Sequence, residues 1–110
     1  MSFQTLTLEI DNHVATITLN RPEMMNAFSE QLIWEMGEAT KTVKDDSQIR
    51  VLVITGEGRG FTAGADLSER DASWSDTKDA LERGYYPFLK NIIDMPKPVI
   101  GSINGAAAGI

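Results

Sequence analysis

Apolar and polar residues alternate in Leu6-Thr7-Leu8-Glu9-Ile10 and again in Val14-Ala15-Thr16-Ile17-Thr18-Leu19. A period of two marks a half-buried strand, and Asp11-Asn12-His13 between the runs is turn chemistry, so the chain is expected to open on an antiparallel hairpin. Pro22 lacks a backbone donor and restricts Arg21 before it, which ends the second strand and starts a loop running to about Phe28. From Ser29 the period changes. Leu32, Met36, Ala39 and Val43 follow at helical spacing, with Ser29 as the N-cap and Glu30 placed where the helix dipole favours a carboxylate. An amphipathic helix is predicted there.

Val51-Leu52-Val53-Ile54-Thr55 is a continuous β-branched run, which suits a strand buried on both faces of a parallel sheet and implies a crossover through the preceding helix. A second helical pattern covers Asp76 to Ile93, with Leu81, Tyr85, Phe88 and Ile92 on one face and an interruption expected at Gly84 and Pro87. Lys97-Pro98-Val99-Ile100-Gly101-Ser102-Ile103 reads as the next strand. The order is β-β-α-β, a loop with a short helix, then α-β, which is an α/β fold. The closing run Asn104-Gly105-Ala106-Ala107-Ala108-Gly109-Ile110 reads as a Gly-rich turn entering the first turn of a helix. Such a strand feeds a crossover helix, so residues 1–110 are expected to be the N-terminal part of a single domain whose C-terminal part is absent.

Composition narrows the function classes. With 42% apolar and 24% charged residues in 110 positions, the chain has enough apolar material for a core and is not globally disordered. A net charge of -6 argues against a nucleic-acid partner. No cysteine and a single histidine, His13, leave no thiolate or His-cluster metal site and no Cys nucleophile. The amino terminus has no basic stretch before an apolar run, and no apolar run approaches the ~20 residues of a membrane span, so a cytoplasmic, membrane-independent protein is expected.

Familiar motifs fail on inspection. Gly56-Glu57-Gly58-Arg59-Gly60-Phe61 follows a strand but has Phe61 where a dinucleotide fingerprint needs its third glycine, and the sequence contains no Gly-Lys pair for a phosphate loop. Ser102 lacks the glycine two positions earlier that a nucleophile elbow requires. Two Gly/Ala-rich strand exits remain, Gly60-Phe61-Thr62-Ala63-Gly64-Ala65-Asp66-Leu67 and Asn104 to Ile110. Small side chains there let backbone N–H groups approach a ligand, and two converging N–H groups stabilise charge on a carbonyl oxygen as an oxyanion hole does. Tight packing is the alternative use of such residues.

These two exits, with Leu19-Asn20-Arg21-Pro22 and Asn26-Ala27 upstream and Lys97-Pro98-Val99-Ile100 before the second, resemble the crotonase superfamily, the enoyl-CoA hydratase/isomerase family. The three motifs span the whole chain in the family's order. Within the family, Asp76 to Pro98 looks most like the bacterial phenylacetate-pathway branch. The resemblance implies a crotonase-type spiral core of β-β-α repeats, here incomplete, and binding of an acyl-CoA thioester whose oxygen is held by main-chain N–H groups. Those donors would be Ala65 and Ile110, with Gly109 as the alternative one position earlier. Met24, Met25, Asn26 and Ala27, together with Ala63, Gly64, Asp66, Leu67 and Ser68, would face the CoA moiety, although residues such as Met24 and Met25 more often serve loop packing. Asp66 would also cap a short helix through Glu69.

No cofactor is implied, since coenzyme A belongs to the substrate, and the full-length protein is expected to form trimers or hexamers and to serve fatty-acid-type metabolism. The family carries its acid/base carboxylates beyond the second oxyanion loop. Glu69, Asp71 and Asp76 read as a solvated acidic stretch, so the 110-residue chain alone is expected to be inactive. Thioester hydrolysis or dehalogenation on the same oxyanion hole, and a non-catalytic fragment acting only through assembly, are the other functions this sequence allows.

Overall fold

A computed structural model describes residues 2–68 and 73–109. The expected hairpin is β1 (Leu6–Asp11) paired antiparallel with β2 (Val14–Leu19). Asn12 and His13 both have positive φ, 50° and 68°, which a two-residue hairpin turn with the right twist demands and asparagine tolerates. A single 3₁₀ turn, Pro22–Met24, follows the proline break.

Helix α1 (Glu30–Asp45) begins where predicted, and the Ser29 hydroxyl accepts the Leu32 N–H at 3.1 Å. It returns the chain to β3 (Val51–Gly56), parallel to β2, and β4 (Val99–Gly101) adds in parallel at the far side, giving the order β1-β2-β3-β4. The core lies between the sheet and the helices. Leu6, Ala15, Ile17, Leu19 and Leu52 meet Leu32, Ile33, Met36, Ala39 and Val43 of α1, with Tyr85 and Phe88 closing the other side.

Three expectations need correction. The β3 run is not buried on both faces: Leu52 is fully buried, whereas Val51 and Val53 are half-buried and Ile100 beside them is 51% exposed. Pleating sends Leu52 to the face that the helices cover and Val51 and Val53 to the opposite, open face. Secondly, the interruption of the second helical pattern is a change of pitch. Short α2 (Thr77–Asp79) passes into a π-helical turn, Ala80–Tyr85, and then α3 (Tyr86–Asp94). Pro87 has no N–H for the carbonyl four residues back, and the Tyr86 N–H bonds Leu81 O, five residues back.

Thirdly, Ala106 to Ala108 is extended and Gly109 has φ 83°, so the run is not the start of a helix. Its backbone is engaged by residues 61 and 62: Phe61 N–H donates to Ala106 O at 2.9 Å and Ala108 N–H to Thr62 O at 3.0 Å. Ladder bonds to a neighbouring segment outweigh the weak helical preference of three alanines. Among the described residues no helix is long and apolar enough to cross a membrane.

Glu35 fastens the amino-terminal segment to α1. Its carboxylate, buried on the helix face, accepts Gln4 N–H at 3.0 Å, Thr5 N–H at 2.9 Å, the Thr5 hydroxyl at 2.8 Å and the Gln31 amide at 2.9 Å. Burial pushes its pKa up, but the donors of Thr5, Gln31 and Gln4 together outweigh burial and hold it below the ordinary value. A lowered folded-state pKa contributes stability above the unfolded-state value that is lost as pH falls through the folded one. Glu35→Gln should therefore cost about 1–2 kcal/mol at neutral pH and nearly nothing at acid pH. Urea midpoints that shift equally at pH 7 and pH 3 would contradict this.

Candidate active site at the paired glycine-rich strand exits

Beyond the carboxyl ends of β2, β3 and β4 the chain continues in three backbone segments that lie side by side. Phe28 N–H donates to Gly64 O at 2.7 Å and Asp66 N–H to Phe28 O at 3.0 Å, while Ala63 N–H bonds Met25 O at 2.9 Å. On the other side Thr62 forms a parallel bridge with Ala107. The two exits singled out in the sequence are thus brought together, with the Met24–Ala27 loop as the third member.

Strand alternation decides what is left over. Because Gly64 O and Asp66 N are the atoms that pair with Phe28, the N–H of Ala65 faces away from that segment. Among the described residues it has no acceptor. Gly64 and Gly109 have φ of 93° and 83°, and their backbones touch. A Cβ on Gly109 would lie 2.8 Å from Gly64 Cα and 3.8 Å from Ala65 N, so only glycine permits this approach. Gly109 therefore flanks the Ala65 amide. Ile110, the other expected donor, lies outside the described residues, as does Glu69 of the expected short helix.

The remaining predicted contact residues divide by burial. Asn26 and Ala27 are buried, and Gly64 is too, so their side chains and Cα face the scaffold. Met24, Ala63, Leu67 and Ser68 are exposed and free to meet a ligand; Met25 is half-buried, φ 52°, with its sulfur 3.7 Å from Arg59 Nη2. Asp66 accepts from the Ser68 N–H at 3.0 Å and the Ser68 hydroxyl, closing a local turn. Its other oxygen takes Arg21 Nη2 at 3.0 Å, and Arg21 also donates to Ala27 O. The Ser68 hydroxyl most strongly, with the Ser68 N–H and Arg21 adding to it, holds the Asp66 carboxyl below its ordinary range against burial, which pushes it up.

Arg21, Thr62 and Asn104 are site-forming residues that sequence reasoning left without a role, and Asn26, expected to face the CoA moiety, is a buried scaffold residue beside them. Asn26 Oδ1 accepts Arg21 N–H at 2.8 Å, and its amide donates to Glu57 O and Gly60 O, both at 3.0 Å. Thr62 Oγ1 donates to Asn26 O at 2.8 Å and accepts Gly64 N–H at 3.1 Å. From the other exit, Asn104 Nδ2 reaches Gly58 O and Gly60 O at 3.0 and 3.2 Å, while its Oδ1 accepts Gly56 N–H. Two side-chain amides thus hold the Gly60 carbonyl, where the loop to Ala65 begins. The signal was present: amide side chains at a strand break and inside a Gly-rich turn are suited to satisfying loop backbone groups.

Two cavities adjoin these segments. One, about 150 Å³, is lined by Phe28, Phe61, Gly64, Phe88 and Ala108 among others. The second, about 210 Å³, contains Ala65 and Asp66 in its wall together with Phe28, Trp74 and Tyr85. An amide with no acceptor among the described residues, beside a hollow and set where parallel strands end, has the chemistry to donate to a ligand's carbonyl oxygen.

A family model described as enoyl-CoA hydratase/isomerase matches residues 9–110. The chain belongs to that family. It is 41% identical over 104 residues to the 1,2-epoxyphenylacetyl-CoA isomerase of Escherichia coli, covering 91% of this chain and 40% of the relative. The (E)-benzylidenesuccinyl-CoA hydratase of Thauera aromatica is 38% identical over 94% of the chain and 41% of its own length. A crystal structure of an enoyl-CoA hydratase/carnithine racemase from Magnetospirillum magneticum superposes with a TM-score of 0.87 at 32% identity, over 98% of this chain and 42% of that one. The fold is therefore of the crotonase type. The chain spans about two fifths of the length of these relatives.

Among the described residues of this hydratase/isomerase segment the carboxylates beside the second cavity are Glu30 and Asp66; Glu69 and Asp71 lie outside the described residues. The Ser73 hydroxyl is the main cause that lowers the Glu30 pKa, with the Ser73 N–H, Trp34 and Arg83 adding to it against burial. Asp66 is pinned as described. Both are stabilised as carboxylates, the reverse of what a general acid at neutral pH requires.

Proposed function

We propose that this chain is the acyl-CoA-binding part of an enoyl-CoA hydratase or isomerase, in which the Ala65 N–H and a second main-chain N–H, from Ile110 or Gly109, hold the oxygen of the thioester carbonyl. The observation that supports this is the Ala65 amide, left over by the pairing with Phe28 and flanked by the Gly109 backbone. Charge that builds on the thioester oxygen as an enolate forms would meet fixed N–H dipoles, which need no reorganisation during the reaction. The exposed Met24, Ala63, Leu67 and Ser68 would border the CoA moiety. The two relatives named above bear names of an isomerase and a hydratase of CoA thioesters.

Water addition or double-bond movement also needs a proton shuttle. Glu30 and Asp66 are both stabilised as carboxylates and Glu69, Asp71 and Asp76 read as a solvated acidic stretch, so we place the acid/base carboxylate beyond these 110 residues, as the family resemblance implies. Assembly into trimers or hexamers in the cytoplasm belongs to the same reading, and the open sheet face with Val53 and Ile100 offers apolar surface for further packing.

The test follows the absorbance of an enoyl-CoA thioester with two purified proteins. The 110-residue chain should show no turnover, because a positioned acid/base is worth about 10²–10⁴-fold and the donors lose their support as well. The same chain extended to family length should turn over at about 10 s⁻¹. Turnover by the short chain at that rate would assign the proton transfer to a carboxylate within it. An extended protein that neither binds nor turns over acyl-CoA would end the reading.

A further inference from the structure

We infer that Thr62 is a positioning residue for the reaction, its hydroxyl being the pin that aims the Ala65 N–H at the thioester oxygen; this rests on the acyl-CoA reading above. From Phe61 to Asp66 every N–H except that of Ala65 has an acceptor among the described residues. Phe61 and Thr62 donate to Ala106 O, Ala63 to Met25 O and Asp66 to Phe28 O. Gly64 alone in this run donates to a side chain, the Thr62 hydroxyl, at 3.1 Å. The hydroxyl therefore takes one of the two amides that the backbone pairing leaves over, and the other is that of Ala65.

What Thr62 fixes is a hinge. The Ala65 N–H shares its peptide plane with Gly64 O, which accepts the Phe28 N–H at 2.7 Å. The plane before it carries the Gly64 N–H, and the two planes meet at Gly64 Cα, where φ is 93°. Glycine reaches other φ values at little cost, so the angle between the planes depends on what ties each of them. Phe28 ties one and the Thr62 hydroxyl ties the other. A hydroxyl that accepts the N–H two residues on is by itself a weak turn, but this one is not free to swing. It donates its own proton to Asn26 O at 2.8 Å, which leaves a lone pair for Gly64, and branching at Cβ restricts χ1. Asn26 is in turn fully buried, its side chain bonded to Arg21 N–H, Glu57 O and Gly60 O.

Thr62 is also where the three segments of the site meet. Its hydroxyl reaches the Met24–Ala27 loop, its N–H donates to Ala106 O at 3.2 Å and its carbonyl accepts the Ala108 N–H at 3.0 Å. Gly109, which flanks the Ala65 amide, follows directly on Ala108. One side chain thus sets the angle of the first donor relative to the segment that carries the second. Donors fixed before the substrate arrives need no reorganisation in the reaction, and a misplacement near 1 Å is enough to cost about 10²-fold in rate.

The experiment compares Thr62→Val and Thr62→Ser in the chain extended to family length, with Thr62→Val also combined with Ala65→Pro. Valine keeps the branched shape and removes the hydroxyl. On an enoyl-CoA thioester kcat should fall about 10- to 10²-fold with KM within about 3-fold of native, and the absorbance shift of the bound thioester should shrink. Thr62→Ser should recover most of both. Because Thr62 acts through the Ala65 N–H, Thr62→Val should cost less than about 3-fold once Ala65→Pro has removed that donor. A loss of the same factor in both backgrounds, a Thr62→Val protein with native kcat, or a serine variant as slow as the valine one overturns the inference and leaves the acyl-CoA reading intact. If Thr62→Val does not fold, amide exchange in the native protein decides. The Gly64 N–H should exchange at least about 10-fold more slowly than that of Ala65, and only Ala65 should gain protection when the unreactive thioester hexanoyl-CoA binds. Equal exchange of the two amides, or protection gained equally at Gly64, overturns the inference. An extended protein that binds no acyl-CoA, or whose Ala65→Pro variant keeps native kcat, overturns the reading beneath it and the inference with it.

Discussion

Ala65→Pro should lower kcat on an enoyl-CoA thioester by about 10²–10³-fold in the full-length protein, while Ala65→Gly stays within a few-fold of native. The contrast follows from the pairing of the loop. Gly64 O and Asp66 N carry the hydrogen bonds to Phe28, so proline at 65 removes a donor that the described scaffold does not use. Its ring removes the N–H and the oxygen of the thioester loses one of its two dipoles. Glycine keeps the N–H and removes only an exposed methyl group. Thermal midpoints and affinity for CoA without an acyl group serve as controls, because a loop that collapsed would change both. The polarisation of a bound enoyl thioester, read as a shift of its absorbance, should disappear with the proline and persist with the glycine. A proline variant within 10-fold of native kcat would remove Ala65 from the oxyanion hole.

Much of the scaffold under that site is written locally. The hairpin is legible because alternation and an Asn12-His13 turn agree, and α1 because its apolar period and the Ser29 cap agree. The Gly/Ala exits are legible as places where backbone is left available, and the structure sets them side by side. What escapes a local reading is decided by distant partners. Ala106 to Gly109 looks helical until the Phe61–Thr62 backbone competes for its groups, and the open face of β3 depends on which elements cover the sheet. Arg21 and Asp66 lie 45 positions apart, and neither residue by itself announces the ion pair. The identities of the clamping amides, too, become meaningful only once the Gly56–Gly60 turn is seen between them.

That clamp should be a principal source of the loop's stability. Asn26 is fully buried at φ 54°, a conformation that costs alanine roughly 1 kcal/mol and asparagine little. Asn26→Ala adds to this the loss of an acceptor for Arg21 N–H and donors for Glu57 O and Gly60 O, each worth about 1 kcal/mol. The variant should therefore be destabilised by about 3–4 kcal/mol in urea unfolding. Asn104→Ala should cost less, since its groups are more exposed and Gly60 O keeps the Asn26 amide. The two changes share that one carbonyl, so the double variant should lose about 1 kcal/mol more than the sum of the singles. Loss of the anchor also lets the Gly60–Ala65 loop drift, and a displacement near 1 Å is enough to cost about 10²-fold in rate. In the two single variants kcat should fall in the order of their stabilities, with native activity partly recovered on cooling as the loop resettles. Additive unfolding free energies, or an Asn26→Ala protein as stable as native, would show that Gly60 is held by something other than the two amides.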